Sequence, residues 1–96
     1  MSNESYILVS SLCRHYAVEQ SLLYSLRDHE LLEITTIESD DYLHHEHLAH
    51  FERLMRINKD LHLDPESMDV VVGLLEKIEN LQRKLAEVQS RLGIYE

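Results

Sequence analysis

The sequence predicts an all-α protein, in which a small helical N-terminal domain precedes one long C-terminal helix that pairs with a second copy. Apolar residues in the C-terminal third recur at alternating steps of three and four, a spacing typical of a coiled-coil helix. Only two glycines and one proline occur in 96 residues, so turns are few and helix should dominate. A chain of this length forms one structural domain, and such small chains often gain stability by associating.

Two short helices are predicted near the N-terminus, after an apolar extended segment at 6–9. The serines at 10–11 offer an N-cap for the first helix, LCRHY. A turn containing Val18 leads into a second helix over about 19–29, and the leucines at 31–32 return the chain to the core. Two short helices joined by a tight turn resemble a helix-turn-helix.

A small wing and a middle helix are predicted next. The stretch EITTIES at 33–39 is β-branched and partly alternating, which favours one arm of a hairpin or wing. The middle helix is predicted over 41–61 with Asp41 as its cap. Its apolar stripe follows the 3.6-residue period and comprises Leu48, Phe51, Leu54 and Met55. This wing is the only β structure expected beyond the short extended segment.

The long helix has clear start and stop signals. Asp64 suits the N-cap, Pro65 suits the first helical position, and Gly93 suits the position just after the helix. We therefore predict one helix from about Pro65 to about Leu92, roughly 40 Å long. Its heptad positions a and d form an apolar seam, here called the seam: Val71, Leu74, Ile78, Leu81, Leu85, Val88 and Leu92.

This helix is too long to be covered by the domain that precedes it, so its distal half should bury the seam on another surface. A second copy of the chain is the expected partner, which makes the protein a homodimer. The alternative is an ordinary amphipathic helix in a monomeric bundle. We divide the chain into a helix-turn-helix domain with middle helix at 1–63 and a dimerisation helix at 64–96.

The net charge of -9 is unevenly distributed. Residues 1–52 hold ten acidic and two basic side chains, which gives -8, whereas residues 53–96 hold eight acidic and seven basic ones. The N-terminal half should therefore repel polyanions. Nucleic acid is an unexpected partner for such a surface, because DNA affinity depends mainly on Lys and Arg at phosphates.

The histidines of the segment HHEHLAH are the most unusual local feature. His44, His47 and His50 follow i,i+3 spacing and can ligate zinc or nickel, with Glu46 nearby. A structural zinc site requires four ligands. The alternative interpretation of these histidines is a solvated helix face, so both possibilities stay open. Cys13 is interpreted as a small buried hydrophobic residue. No cofactor is expected.

An enzyme is not expected. The carboxylate pairs at 40–41 and at Asp60 with Asp64 have no glycine loop, nucleophile or partner base beside them. The single cysteine fits a reducing compartment, and no apolar run approaches the roughly 20 residues needed to cross a membrane. We expect a soluble, cytoplasmic protein without a membrane partner.

A DNA-binding regulator is the rival hypothesis, since a helix-turn-helix, a wing and a dimerising helix suggest one. The would-be recognition helix, EQSLLYSLRDH, has a single Arg beside Glu19 and Asp28. The wing region carries four acidic residues, Glu33, Glu38, Asp40 and Asp41, and neither Lys nor Arg. A duplex contact would have to overcome this repulsion.

Two blocks of the chain resemble the CbpM-type chaperone modulators, within the broader MerR-like helix-turn-helix group. The first block spans 12–33, with Leu12, Cys13, His15, Val18, Leu23, Leu26, Leu31, Leu32 and Glu33. The second spans 53–81, with Arg53, Arg56, Leu61, Leu63, Asp64, Val70, Leu74, Leu75, Glu76, Ile78 and Leu81. The family usually has Gly in the helix-helix turn and before the apolar pair, where this chain has Ala17 and Glu30.

This resemblance implies a non-enzymatic regulator. Family members bind the J-domain of a DnaJ-like co-chaperone and block its action with Hsp70, and J-domains present a basic helix to Hsp70. An acidic N-terminal domain suits that surface, so we expect the partner contact at Arg27, Asp28, Glu30 and Glu33. The resemblance also implies antiparallel pairing of the long helices, although parallel pairing would keep the basic g positions Lys77, Lys84 and Arg91 apart.

Overall fold

The computed structural model describes residues 5–93, so the outermost ends of the two predicted units, 1–4 and 94–96, lie outside the described residues. Within that range the chain is mostly helical and also contains a small antiparallel sheet. The elements in chain order are β1 (Tyr6–Leu8), α1 (Val9–Tyr16), α2 (Gln20–Asp28), β2 (Thr35–Ile37), β3 (Asp40–His44), a 3-10 turn (His45–His47), α3 (Leu48–Leu61) and α4 (Pro65–Leu92).

The sheet is larger than the predicted wing. Its strands lie in the order β1-β3-β2, so the hairpin β2–β3 is joined to the N-terminal strand through pairs such as Ile7 with Leu43. The hairpin turns at Glu38 and Ser39, which both have positive φ, 50° and 72°, as the tightest hairpin turns require. The wing prediction is confirmed for β2 and the extended segment for β1, whereas β3 was not predicted, so the mostly helical fold carries one strand more than expected.

The predicted start of the middle helix at Asp41 is also wrong. Residues 40–44 form β3, and the α-helix begins only at Leu48. The physical reason is that Leu43 is fully buried opposite Ile7 in the sheet, and its alternation with half-buried Tyr42 fits a strand. The stripe from Leu48 onward was correctly assigned to a helix.

The helix-turn-helix is formed by α1 and α2, at nearly the predicted positions. Its first helix begins at Val9, and no side chain caps it, so the predicted serine cap at 10–11 is wrong. The turn between the helices is tight, because Ala17 adopts a left-handed conformation and the Val18 amide donates to the Cys13 carbonyl at 3.0 Å. Such a pattern terminates a helix abruptly and turns the chain.

One hydrophobic core joins the helix-turn-helix, the sheet and α3. It collects the apolar faces of α1 and α2, the inward residue of β3, the stripe of α3 and the first turns of α4. The side chains with the least exposure are Val9, Leu23, Leu26, Leu43, Phe51, Leu54 and Met68. Cys13 belongs to the same core, which confirms its interpretation as a small buried residue.

The long helix has the predicted bounds, Pro65–Leu92. The Asp64 carboxylate accepts the Ser67 amide at 2.7 Å, and Gly93 ends the helix with φ 71°. Only the first turns pack on the core, through Met68 and Val72. No helix within residues 5–93 is long and apolar enough to cross a membrane.

Candidate partner-binding surface

The exit of α2 forms a rigid corner. The Leu31 amide donates to the Leu26 carbonyl and the Glu30 amide to the Arg27 carbonyl, each at 2.9 Å. This pair of bonds needs a left-handed residue directly after the helix, and Glu30 supplies it with φ 60°. The corner therefore projects the Glu30 side chain into solvent while Leu31 turns into the core.

Three of the four predicted partner-binding residues lie around one shallow depression of about 440 Å³ beside this corner. We call it the acidic depression and define it by its eight lining residues: Arg27, Glu30, Leu31, Leu32, Glu33, Ile34, His47 and His50. Glu30 and Glu33 are exposed, and the leucines between them are buried. The depression thus offers carboxylates above an apolar floor.

Asp28, the fourth predicted residue, does not line the depression. Its carboxylate lies 3.2 Å from the guanidinium of Arg27, and both side chains are exposed. The same guanidinium lies over the ring of Tyr24, 5.0 Å from the centroid. Arg27 is therefore held at the edge by two neighbours, and its charge is partly offset by Asp28.

Two histidines of the depression were missed by the sequence analysis as part of this surface. His50 donates through Nε2 to the Leu31 carbonyl at 2.7 Å, which ties α3 to the corner after α2. His47 lies 3.8 Å from the Glu33 carboxylate and 3.7 Å from that of Glu46. The sequence predicted them as possible metal ligands or as part of a solvated helix face, because nothing local in the sequence joins positions 31 and 50.

The possible metal site at His44, His47 and His50 gains no support. The rings of His44 and His47 are 6.2 Å apart, and His50 is engaged with a backbone carbonyl. Within residues 5–93, no group of three or more His, Cys, Asp or Glu side chains is arranged to hold a metal ion. The first of these histidines also lies at the end of β3 and not on a helix.

A hydrogen-bonded network holds the hairpin beside α2. The Asp41 carboxylate accepts the hydroxyls of Thr36 and Tyr24, each at 2.6 Å. These bonds lower the pKa of Asp41, with Thr36 first and Tyr24 second, and the bond to Asp41 raises the pKa of Tyr24. Asp41 was predicted to cap a helix, and it instead ties α2 to both strands of the hairpin.

The environment of Cys13 does not favour thiol chemistry. Its side chain is buried in the core, and this burial raises the pKa of the thiol. A reactive cysteine needs a stabilised thiolate and access to solvent. The thiol is therefore a packing group, as the sequence indicated.

The seam on α4 is the second candidate surface. Six of its seven residues, from Leu74 to Leu92, are between 43% and 68% exposed, whereas Val71 is half-buried near the core. An apolar stripe of this length is unusual on the surface of a monomer. The structure shows the stripe as an uncovered face, and the pairing predicted for it stays a prediction.

A comparison with known proteins adds a family. A family model described as MerR HTH family regulatory protein matches residues 7–90, which include the helix-turn-helix, the hairpin, α3 and most of α4. No curated protein and no solved structure gives a significant match to the chain.

Proposed function

Because the chain belongs to the MerR HTH family of regulatory proteins, we propose that it is a non-enzymatic regulator that works by protein–protein contact. Specifically, it is a chaperone modulator that binds the J-domain of a DnaJ-like co-chaperone in the cytoplasm and inhibits its action with Hsp70. The observation that carries this proposal is the acidic depression, which replaces the cationic surface that a DNA-binding helix-turn-helix needs.

The charges of the helix-turn-helix support this choice. Its exposed cations are Arg14 and Arg27, and the second is paired with Asp28. The following corner and hairpin add exposed carboxylates at Glu30, Glu33, Glu38 and Asp40 and contribute neither Lys nor Arg. A phosphate backbone would meet net negative charge across this surface, whereas a basic helix would be attracted.

The shape of the acidic depression suits a basic helix as well. Glu30 and Glu33 stand three residues apart at its rim, and Ile34 adds half-buried apolar surface between them and the histidines. Lys and Arg side chains can lay their aliphatic stems on such a surface while their charged ends reach carboxylates. A J-domain helix held here would be withheld from Hsp70.

A binding measurement with the purified J-domain tests the proposal. The variant Asp28→Lys/Glu30→Lys/Glu33→Lys should weaken binding at least about 10-fold, mainly through slower association, and should flatten the salt dependence. The matched control, Asp60→Lys/Glu66→Lys/Glu87→Lys, makes the same change in net charge on α3 and α4 and should bind nearly as wild type. Equal losses in both variants, or no J-domain binding by wild type, would contradict the proposal.

A DNA-binding MerR-like regulator is the second candidate, favoured by the helix-turn-helix with its adjacent hairpin. It predicts retention of a discrete duplex from genomic fragments and a binding constant that falls steeply with salt. The same lysine variant separates the two candidates, because it should strengthen DNA binding while weakening J-domain binding.

The proposed regulator is a homodimer. Its seam gives each copy an apolar stripe about six turns long, and pairing would cover six residues that are 43% to 68% exposed. Two copies would present two acidic depressions, which would let one dimer hold two J-domains.

A further inference from the structure

We propose that a second groove, with basic side chains at its rim, binds an acidic segment of a protein partner. This segment also carries a large apolar side chain. The groove lies between the turn after α1 and the C-terminal half of α3, and its volume is about 540 Å³. We call it the basic groove and use five of its residues: Tyr16, Val18, Met55, Arg56 and Lys59. It shares no lining residue with the acidic depression.

The floor of the basic groove is apolar. Val18 and Tyr16 are half-buried on one wall, and Met55 is 8% exposed on the other. The Tyr16 ring is fixed edge-on against Phe51 at 5.1 Å between centroids. Methionine adapts its shape to irregular partners, so this floor can accept one large aliphatic or aromatic side chain.

Three polar side chains of the groove, Tyr16, Glu52 and Asn58, are already engaged. The Tyr16 hydroxyl donates to the Glu52 carboxylate, and the Asn58 amide donates to the Leu63 carbonyl at 2.8 Å. Arg56 and Lys59 are different, since neither has an ion-pair partner among residues 5–93. They lie one helical turn apart on α3, and both are exposed.

Charge complementarity decides the class of occupant. The groove is lined by two cations, Arg56 and Lys59, and by one carboxylate, Glu52, which accepts the Tyr16 hydroxyl. Its formal charge is therefore positive in a chain of net charge -9. A partner with carboxylates on either side of an apolar anchor would meet Arg56 and Lys59 at the rim and Val18 and Met55 below. A basic partner would be repelled here and attracted to the acidic depression.

The walls of the groove are preformed. Left-handed residues stand at both ends, Ala17 with φ 57° and His62 with φ 53°, and both line the groove. The Val18 amide is held on the Cys13 carbonyl. Little ordering is then needed on binding, which favours recognition by a small surface. The regulator would thus carry two surfaces of opposite charge and could join a basic protein to an acidic one.

Amide chemical shifts of the full chain test this inference. The probe is a synthetic ten-residue peptide, blocked at both ends, with two central leucines flanked by glutamates. We expect saturable shifts at Val18, Met55, Arg56 and Lys59 below millimolar peptide. A peptide with lysines in place of the glutamates should not shift these residues, and one with alanines in place of the leucines should bind at least about 10-fold more weakly.

Matched variants complete the test. Arg56→Glu/Lys59→Glu should weaken peptide binding at least about 10-fold, whereas Lys77→Glu/Lys84→Glu, with the same change in net charge on α4, should leave it unchanged. Both pairs are exposed, so the dispersion of the spectra reports whether each variant stays folded. Absence of shifts at the groove, or equal binding by both variants, would overturn the inference. Neither outcome bears on J-domain binding, which uses other residues.

Discussion

Three helices end on residues other than glycine in the left-handed conformation. Ala17 follows α1, Glu30 lies beyond α2 and His62 follows α3, with φ between 53° and 60°, and only α4 ends on a glycine, Gly93. The left-handed region costs an ordinary L-residue about 1–2 kcal/mol. Ala17 and Glu30 are the two positions where the CbpM-type pattern that the chain resembles usually has glycine, and both adopt the left-handed conformation here without it.

Relief of this strain gives a stability prediction at Ala17. Ala17→Gly should raise the free energy of unfolding by about 0.5–1 kcal/mol, because the steric strain removed from the folded turn exceeds the cost of the entropy added to the unfolded chain. Urea unfolding followed by circular dichroism measures the change. The same exchange at Ala49, whose backbone is helical, should lower stability. A loss at both positions would show that the turn after α1 is not strained.

Among the elements, α4 has the bounds that were approximately predicted, whereas the start of the middle helix was misplaced by about seven positions. The signals of α4 are local, since Asp64, Pro65 and Gly93 each act on the adjacent turn. The strand at 40–44 depends on pairing with β1, more than 30 residues earlier. No local sequence pattern identifies β1 as the partner of this strand. The histidines that follow the strand were therefore predicted to lie on a helix.

The Asp64 cap gives a prediction with a defined pH dependence. Bonds from Ser67, the backbone amide first, hold the pKa of Asp64 below its ordinary value of 3.8. A carboxyl group whose pKa is lower in the folded than in the unfolded protein stabilises the fold at pH values above the unfolded pKa. This stabilisation is lost as the pH falls through the folded pKa. Asp64→Ala should therefore lower the urea midpoint at pH 7, and this difference should shrink below about pH 4.

The control for this cap is Asp69→Ala, a carboxylate on the next turn of α4 that is exposed. It removes a similar charge near the positive end of the helix but breaks no cap bond. A midpoint difference for Asp64→Ala that stayed constant from pH 7 to pH 3 would contradict the assigned role of the carboxylate.

In the tertiary structure, three of the four residues expected at the partner contact lie together, and the contact itself stays a prediction. Glu30 and Glu33 came from the resemblance, and the structure places them with Arg27 around one depression. His47 and His50 joined it unpredicted, because α3 folds back across the corner after α2. The basic groove could not be predicted from the sequence either, because its walls come from two distant segments, the turn at 17–18 and α3.

The seam gives a prediction for the assembly. Leu81→Glu/Leu85→Glu should convert the proposed dimer to a monomer and raise its dissociation constant at least about 100-fold, because charges would enter the expected apolar interface. Sedimentation equilibrium measures this directly. The control Arg83→Glu/Ser90→Glu changes heptad positions farthest from the seam and should stay dimeric. A wild-type protein that sediments as a monomer at all concentrations would disprove the pairing.

Because Cys13 is buried, the folded chain should be almost unreactive toward thiol reagents. It is the only cysteine in the sequence, and its side chain is enclosed in the core, so a new cysteine on the surface would be the sole site for a maleimide or nitroxide label. Spin labels on Ser90→Cys would lie level with each other along the axis of a parallel pair, whereas in an antiparallel pair centred on the seam they would be offset along that axis by roughly 25 Å, which lengthens the distance between them. Pulsed electron resonance would then read the direction of the helices from one distance.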